Sequence, residues 1–488
     1  MDNIEPKSFR DGNVLPSAEA LQSGRKAVIS TLPDDGLGES KTRDHLNTSI
    51  APALSGSSKT PNYYGFVIGG ATPIAKAADN IVTSFDQNVH VHLPAETIAT
   101  DVEDAATSLL CQLLGFDAES FTHRIFTTGA TSSNVLGMAL GRQWVVRERA
   151  KRNGMGERGL ENLCDVGKVG LVKAMRFAGI DEIQVLTTVP HSSLAKAASI
   201  VGLGRESLSL VNKEDEPHRF DLEALERELE IARTASIVAV SCSEVNTGLF
   251  ATTGDEMKAI RELCDKYGAW LHVDGAFGIM GRCLDESDDY KTIFAGCANM
   301  ELADSITGDA HKLLNVPYDC GFFFSKHLDT AFSVFQNAGA AYLATDASSI
   351  PSPLNHGLEN SRRFRALPVY ANLVAYGRKG YQDMLIRQIA LARRIATLIR
   401  EHKKYELLPA GLSEDQTFMI VLFRAVNQEL NAELVTKINN TRKLYVSGTK
   451  WEGSPACRFA VSNWQVDVER DIEIIKDVLD EVAADGEE

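Results

Sequence analysis

The spacing of apolar positions changes several times along the chain, and each change marks an element. From about residue 97, Val102, Ala106, Leu109, Leu110 and Leu113 recur at helical spacing. Thr100-x-x-Glu103, at the start of that pattern, reads as a capping box, and Gly115 closes the helix. RIFTT (124–128) then predicts a short strand, TGATSSN a turn, and VLGMALGRQWVVRERAKR a helix. EIQVLTT (182–188) predicts a strand and residues 192–201 a helix. ASIVAVSCS (235–243) is apolar without alternation, as expected of a strand covered on both faces. Thr253-x-x-Glu256 opens a helix that ends at Gly268, and AWLHVD (269–274) and CGFFFS (320–325) are further strands. Strands alternating with helices predict an α/β domain with a mainly parallel sheet between helices.

The alternation stops near residue 359. Two long helical patterns cover roughly 359–402. FMIVLFRA, a helix near 428–440, KLYVSG, CRFAVSN and an amphipathic helix near 466–484 follow, a smaller α+β pattern. Residues 1 to about 60 are polar, rich in Ser, Gly, Asp and Pro, and read as a poorly ordered arm with one weakly helical patch. The expected organisation is an N-terminal arm and segment over 1–95, a large domain over 96–400 and a small C-terminal domain over 401–488.

At 488 residues the chain has enough length for a large core and a second domain. Its formal net charge of -16 repels phosphate backbones and anionic lipid, which argues against nucleic acid and membrane partners. No apolar run approaches the ~20 residues of a membrane-spanning helix. The first residues, MDNIEPKSFRDGNVLPS, lack a charged-then-apolar leader pattern. Eight cysteines lie scattered from Cys111 to Cys457 without a C-x-x-C pair, so reduced thiols and a cytoplasmic location are expected. His90 and His92 sit two apart with no local cysteine or acidic partner, and no metal site is expected.

In open α/β sheets, ligands bind beyond the carboxyl ends of the strands, and four such ends carry unusual residues. TTGATSSN (127–134) puts Gly129, Thr131 and Ser132 where a helix begins, an arrangement suited to a phosphate. His191, in TVPHSS, follows a strand and suits either a core histidine or an aromatic plate against a flat ring. Asp274, in LHVDGAFG, ends an apolar strand and needs a partner, either a backbone N–H or a ligand's cationic nitrogen. Lys312, in ITGDAHKLLNVPYDCG, leads into Leu313 and Leu314, and a desolvated lysine amine can form a Schiff base with a carbonyl. Each has a bland alternative. Together, a phosphate cradle, a stacking ring, a carboxylate and a nucleophilic lysine match pyridoxal 5′-phosphate.

On these motifs the chain resembles the fold-type I pyridoxal-phosphate enzymes of the group II amino-acid decarboxylase family, which includes aromatic-amino-acid, glutamate and cysteine-sulfinate decarboxylases. The resemblance runs from about NYYGFVIGGATP (62–73) to the C-terminal domain. HVDGAFG, DAHKLLNVPYDCG and SRRFRALPVYANLVAYGRKGY (361–381) carry it most specifically. It implies that Lys312 forms the internal aldimine, Asp274 pairs with the ring nitrogen, His191 stacks on the ring and Ala276 packs on its other face. It implies further that Ala130, Thr131, Ser132 and His311 hold the phosphate, with Asn246 or Thr247 near the ring hydroxyl. Phe66, Gly69, Gly70 and Ala71 would lie at the pocket entrance, and Arg362 or Arg363 would meet a substrate carboxylate with a bidentate fork.

The implied reaction is decarboxylation of an L-amino acid to its amine through a Schiff base and a quinonoid, in a homodimer with shared sites. The family's proton-donating tyrosine on a mobile loop has no counterpart in LATDASSIPSPLNHGLEN (343–360). Tyr342, at the edge of that loop, and His356, within it, are the candidate donors. A loop without the tyrosine keeps open decarboxylation with oxidative deamination to an aldehyde. Another pyridoxal carbon–carbon lyase or an aminotransferase, and a non-catalytic scaffold, are the further alternatives.

Overall fold

The structure, a computed structural model, describes residues 14–337 and 350–484. The chain divides into two compact units, one formed by 71–386 and one that joins the N-terminal residues up to Gly70 with the stretch from Arg387 onward.

The larger unit is built on seven strands: β1 (His123–Thr127), β2 (Glu182–Thr187), β3 (Leu208–Leu210), β4 (Thr234–Ser241), β5 (Trp270–Asp274), β6 (Ser305–Gly308) and β7 (Gly321–Ser325). Their order is β1-β7-β6-β5-β4-β2-β3. β2 through β6 pair in parallel, and β7 runs antiparallel to both of its neighbours, β6 and β1. The carboxyl ends of β1, β4, β5 and β6 and the start of β7 therefore share one edge. All eight residues of β4 are buried, which accounts for its unbroken apolar sequence.

A long helix, Ala130–Arg152, leaves the end of β1 and packs across the sheet. Two glycines one turn apart bring it close to β5. A Cβ on Gly137 would stand 2.6 Å from His272 Cε1, and one on Gly141 would stand 2.9 Å from Trp270 Cδ1. The helix can press onto the strand because these positions lack side chains.

The Thr253–Glu256 capping box is present, and its helix, Gly254–Tyr267, ends at left-handed Gly268 as predicted. The Thr100–Glu103 pair does not cap. The helix Ala99–Leu113 starts at Ile98 without a side-chain cap. Thr100 Oγ1 bonds His92 Nδ1 at 2.7 Å instead, and Glu103 is recruited by Arg362. The turn expected over TGATSSN is shorter than predicted, since helix begins at Ala130. β6 was not foreseen, because SITG offers no apolar run.

The smaller unit carries an antiparallel sheet, β10 (Ser447–Trp451), β11 (Ser454–Ala460), β9 (Ile420–Ala425) and β8 (Tyr405–Leu408), in that order. Its core gathers Leu391, Ile395, Phe423, Leu434, Phe459, Ile475 and Leu479. Tyr64 joins it from the N-terminal side: its N–H donates to Tyr445 O at 2.8 Å, and it receives Ala460 N–H at 2.9 Å. The poorly ordered arm with one weakly helical patch expected before residue 60 holds more helix than that. Ser17 caps a helix over Ala18–Ala27, and a second helix covers Glu39–His45. The helical stretch Ala366–Glu401 is interrupted at Gly377 (φ 57°). Among the described residues no helix is long and apolar enough to cross a membrane.

Candidate active site

The edge where the parallel strands end gathers Ala130, His191, Asp274, Ala276, His311 and Lys312 at the ends of β1, β2, β5 and β6. β5 and the segment after β6 are tied together there: Gly275 N–H donates to Thr307 O at 2.9 Å, and Asp309 N–H to Ala276 O at 3.2 Å. The β1 turn is anchored as well, through Thr127 Oγ1 with Ser133 Oγ at 2.7 Å and Ser133 Oγ with Phe322 O at 3.0 Å.

Lys312 lies on a short helix, Ala310–Leu313, directly before buried Leu314. Its Nζ meets Asp309 Oδ2 at 2.9 Å and stands 5.8 Å from the centre of the Phe277 ring. Asp309 Oδ1 accepts the N–H of Ala130, the first residue of the long helix, at 2.6 Å. His311 Nδ1 faces Cys320 N–H at 3.4 Å, an acceptor role that leaves Nε2 as the donor. Nε2 points toward Asp309 Oδ1 at 3.6 Å. Burial lowers the pKa of His311, and its ring lies 4.3 Å from that of Tyr318. Thr131 and Ser132 are half-buried at the same helix start, with Ser132 Oγ 2.5 Å from Thr128 Oγ1.

Asp274 is held from two sides. Ala276 N–H donates to Oδ1 at 3.2 Å, and Asn134 Nδ2 donates to Oδ2 at 3.0 Å. Asn134 is a hub. Its Nδ2 also reaches Ser193 Oγ at 3.2 Å, and its Oδ1 meets His272 Nε2 at 2.9 Å. His272 Nδ1 faces Ser305 Oγ at 2.8 Å, and Trp270 Nε1 donates to that same hydroxyl at 3.0 Å. The donor directions follow from chemistry. The amide nitrogen of Asn134 gives to Asp274 and Ser193, so its oxygen accepts from His272 Nε2–H. His272 Nδ1 then accepts from Ser305. This requires a neutral imidazole, and burial does push the His272 pKa down to about 4. On the other side, Ser193 Oγ lies 2.8 Å from His191 Nδ1, and Ser193 N–H donates to that nitrogen at 3.2 Å. The carboxylate of Asp274 and the ring of His191 are thus oriented by one amide.

Other expected site residues have contacts of their own. Asn246 and Thr247 wrap Glu244: Asn246 N–H donates to Glu244 Oε2 at 2.8 Å, and both the N–H and hydroxyl of Thr247 bond Glu244 Oε1. Arg362 does not present a free fork. Its Nη1 holds both oxygens of Glu103 at 2.7 and 2.9 Å, its Nη2 donates to Phe126 O at 2.7 Å, and its side chain is 1% exposed. Arg363 pairs with Asp79. His356 is buried edge-on against His123, with ring centres 5.1 Å apart. His123 opens β1 at the end away from Thr127, roughly 13 Å distant along the strand. Burial, with His123 and Arg362 beside it, drives the His356 pKa well below its ordinary value. A neutral imidazole there is a poor proton donor, which corrects the catalytic expectation for His356. Tyr342 lies outside the described residues. Phe66, exposed with φ 62°, and buried Gly70, with φ 67°, belong to the smaller unit.

Sequence reasoning missed Asp309, Asn134, Ser193 and His272. Asn134 and His272 were inside motifs already singled out, TTGATSSN and LHVD. The signal available for Asn134 was a carboxamide one helical turn beyond Ala130. For His272 it was alternation, which puts it on the same face of β5 as Asp274.

Comparison with known proteins identifies the family and the fold. The family described as "Pyridoxal-dependent decarboxylase conserved domain" matches residues 171–426. The chain is 30% identical to the L-2,4-diaminobutyrate decarboxylase of Acinetobacter baumannii over 321 residues, which is 64% of this chain and 58% of that enzyme. It is 23% identical to the aromatic-L-amino-acid decarboxylase of Bacillus atrophaeus over 96% of this chain and 92% of that enzyme. The fold matches that of the Oryza sativa TDC solved with PLP and tryptamine, with a TM-score of 0.78 at 20% identity over 98% of this chain and 94% of that one. The chain belongs to the pyridoxal-dependent decarboxylase family, amino-acid carboxy-lyases that work with pyridoxal 5′-phosphate.

Proposed function

We propose that the chain removes the α-carboxylate of an L-amino acid as CO₂ and releases the amine, with pyridoxal 5′-phosphate held at the strand edge of the larger unit. The residues present suit that group. Thr307, in register with Asp274, has a buried hydroxyl without a partner among the described residues. At Gly129, a Cβ would stand 3.3 Å from both Asp309 Oδ1 and His311 Cε1, so the glycine keeps the phosphate end open.

The bound cofactor supplies an electron sink conjugated to the substrate's Cα. Lys312 would hold the group through its amine, which sits on this edge beside Asp309. Asp274, oriented by N–H donors on both oxygens, would face the ring nitrogen. His191 supplies a flat face with its Nδ1 already engaged by Ser193, and Ala276 supplies a small one opposite. Ala130, Thr131, Ser132 and His311 offer N–H and hydroxyl donors to the phosphate. The observation that carries the reading is the doubly held Asp274 carboxylate on the strand edge where Asp309 bridges Lys312 and the first N–H of the long helix.

The test is a visible absorption band on adding pyridoxal 5′-phosphate, lost on borohydride reduction and absent in Lys312→Ala, together with CO₂ and amine release from a panel of L-amino acids. A protein that forms the band but releases no CO₂ from any of them would overturn the decarboxylase reading. Assay under air and under nitrogen separates amine from aldehyde: aldehyde and peroxide formed only with oxygen would replace the amine.

We also infer a homodimer. Val28, Ile29, Leu32, Leu37, Leu46 and Leu54 leave a cluster of exposed apolar side chains in one N-terminal stretch, the kind of surface a second copy covers. Light scattering that returns a monomer at micromolar concentration would remove it. A cytoplasmic location is supported by eight unpaired, buried cysteines.

A further inference from the structure

We infer that Asp309 competes with the cofactor's phosphate for the start of the long helix and thereby sets cofactor affinity. The inference rests on the pyridoxal-phosphate reading above.

Asp309 stands at the N-cap position of its own short helix, yet its side chain makes no cap bond there. It crosses to another element instead and accepts the Ala130 N–H at 2.6 Å. Its other oxygen takes the Lys312 ammonium at 2.9 Å, and His311 Nε2 lies 3.6 Å away. The residue is 7% exposed. One carboxylate thus holds two groups suited to an anion, a helix N–H with the positive end of its dipole and a lysine, and an imidazole N–H stands nearby. A phosphate seated by Ala130, Thr131, Ser132 and His311 needs the same Ala130 proton, and one N–H proton serves one strong acceptor. It also brings nearly two negative charges against a third in a largely dry pocket, where repulsion is weakly screened.

Two arrangements follow. With the carboxylate on Ala130, Lys312 is an ion-paired ammonium and not a nucleophile. With phosphate on Ala130, Asp309 turns away and the ion pair with Lys312 is broken, so the lysine, once its ammonium proton has passed to solvent, would be free to hold the cofactor's aldehyde. Seating of the phosphate and freeing of the lysine are then one event. Asp309 acts here as a positioning residue, through Lys312 and the helix N-terminus.

The deciding experiment measures equilibrium binding of pyridoxal 5′-phosphate, and of phosphate-free pyridoxal, to wild type and Asp309→Asn. Asparagine keeps the shape and an oxygen for Ala130 but drops the charge. The expected result is a dissociation constant for pyridoxal 5′-phosphate lowered by about tenfold or more. Pyridoxal gains much less, so the ratio of the two constants rises. Millimolar inorganic phosphate also raises the melting temperature of the variant more than that of wild type. If Asp309→Asn does not fold, Asp309→Ser carries the same comparison. A borohydride-sensitive adduct of equal or weaker affinity in the folded variant overturns this inference alone. Absence of the adduct from wild type and variant overturns the cofactor reading and this inference with it.

Discussion

Arg362 offers the sharpest test of how side chains are allotted between stability and chemistry. Its guanidinium holds both oxygens of Glu103 and the carbonyl of Phe126, with 1% exposure on its side chain and 7% on that of Glu103. Arg362→Met keeps the aliphatic stem and removes the charge. Glu103 is then left buried and unpaired, and the Phe126 carbonyl loses its donor. Breaking a buried pair from one side costs about 3–5 kcal/mol. For a unit of about 300 residues, the entropy of unfolding converts that into a melting-temperature drop of roughly 5–8 °C. Calorimetry of the intact protein reads it. Two controls bracket the result. Arg362→Met with Glu103→Leu should recover part of the loss, because an apolar pair of similar volume carries no stranded charge. Arg233→Ala breaks an equally short but exposed pair with Asp181 and should change nothing measurable. An Arg362→Met protein that melts like wild type while its KM rises tenfold or more would refute the reasoning, and would return Arg362 to the substrate-fork role that SRRFRALP first suggested.

Three further outcomes follow from the same geometry. His123 is wholly buried, and its pKa is lowered to about 4 by burial. Below pH 6.5 the unfolded chain therefore binds a proton that the folded chain refuses, and this site's contribution to stability drains away as pH falls from 6.5 to about 4. Between pH 7 and pH 5 the loss is about 2 kcal/mol. His123→Phe should flatten a urea-derived stability profile over that interval by this amount, and an unchanged slope would count against it. Asn134→Leu strands the His272 Nε2 proton and frees both Asp274 and His191. It should lower kcat by about 10–100-fold and shift the pH profile of the visible band, whereas a purely structural role would lower stability and leave that profile in place. His356→Gln should leave kcat within about threefold, since a side chain buried at the far end of β1 touches no reacting atom; a loss of several orders of magnitude would restore it as the donor.

The readable and unreadable parts of this protein separate by the range of the contacts that decide them. β4, β5 and the helix opened by Thr253 and Glu256 are set by local spacing, and their residues announce it. Lys312, Asp274 and His191 stood out in the sequence for a different reason: the chemistry of all three suits one cofactor, and the structure brings all three to the edge where the parallel strands end. Where a partner hundreds of residues away decides, local pattern misleads. Thr100 and Glu103 have the spacing of a capping box. Yet the hydroxyl went to His92 and the carboxylate to Arg362, 259 residues distant. Arg362 looked like a ligand for substrate for the same reason, since nothing beside it in sequence identifies Glu103. Asp309 reverses the case. Its position marks it as the cap of its own helix, and its side chain reaches a helix 179 residues upstream to sit where an anion belongs. A carboxylate three residues before the reactive lysine is visible in the sequence. That it accepts the first N–H of the long helix becomes visible only when β1 and β6 are brought to one edge of the sheet.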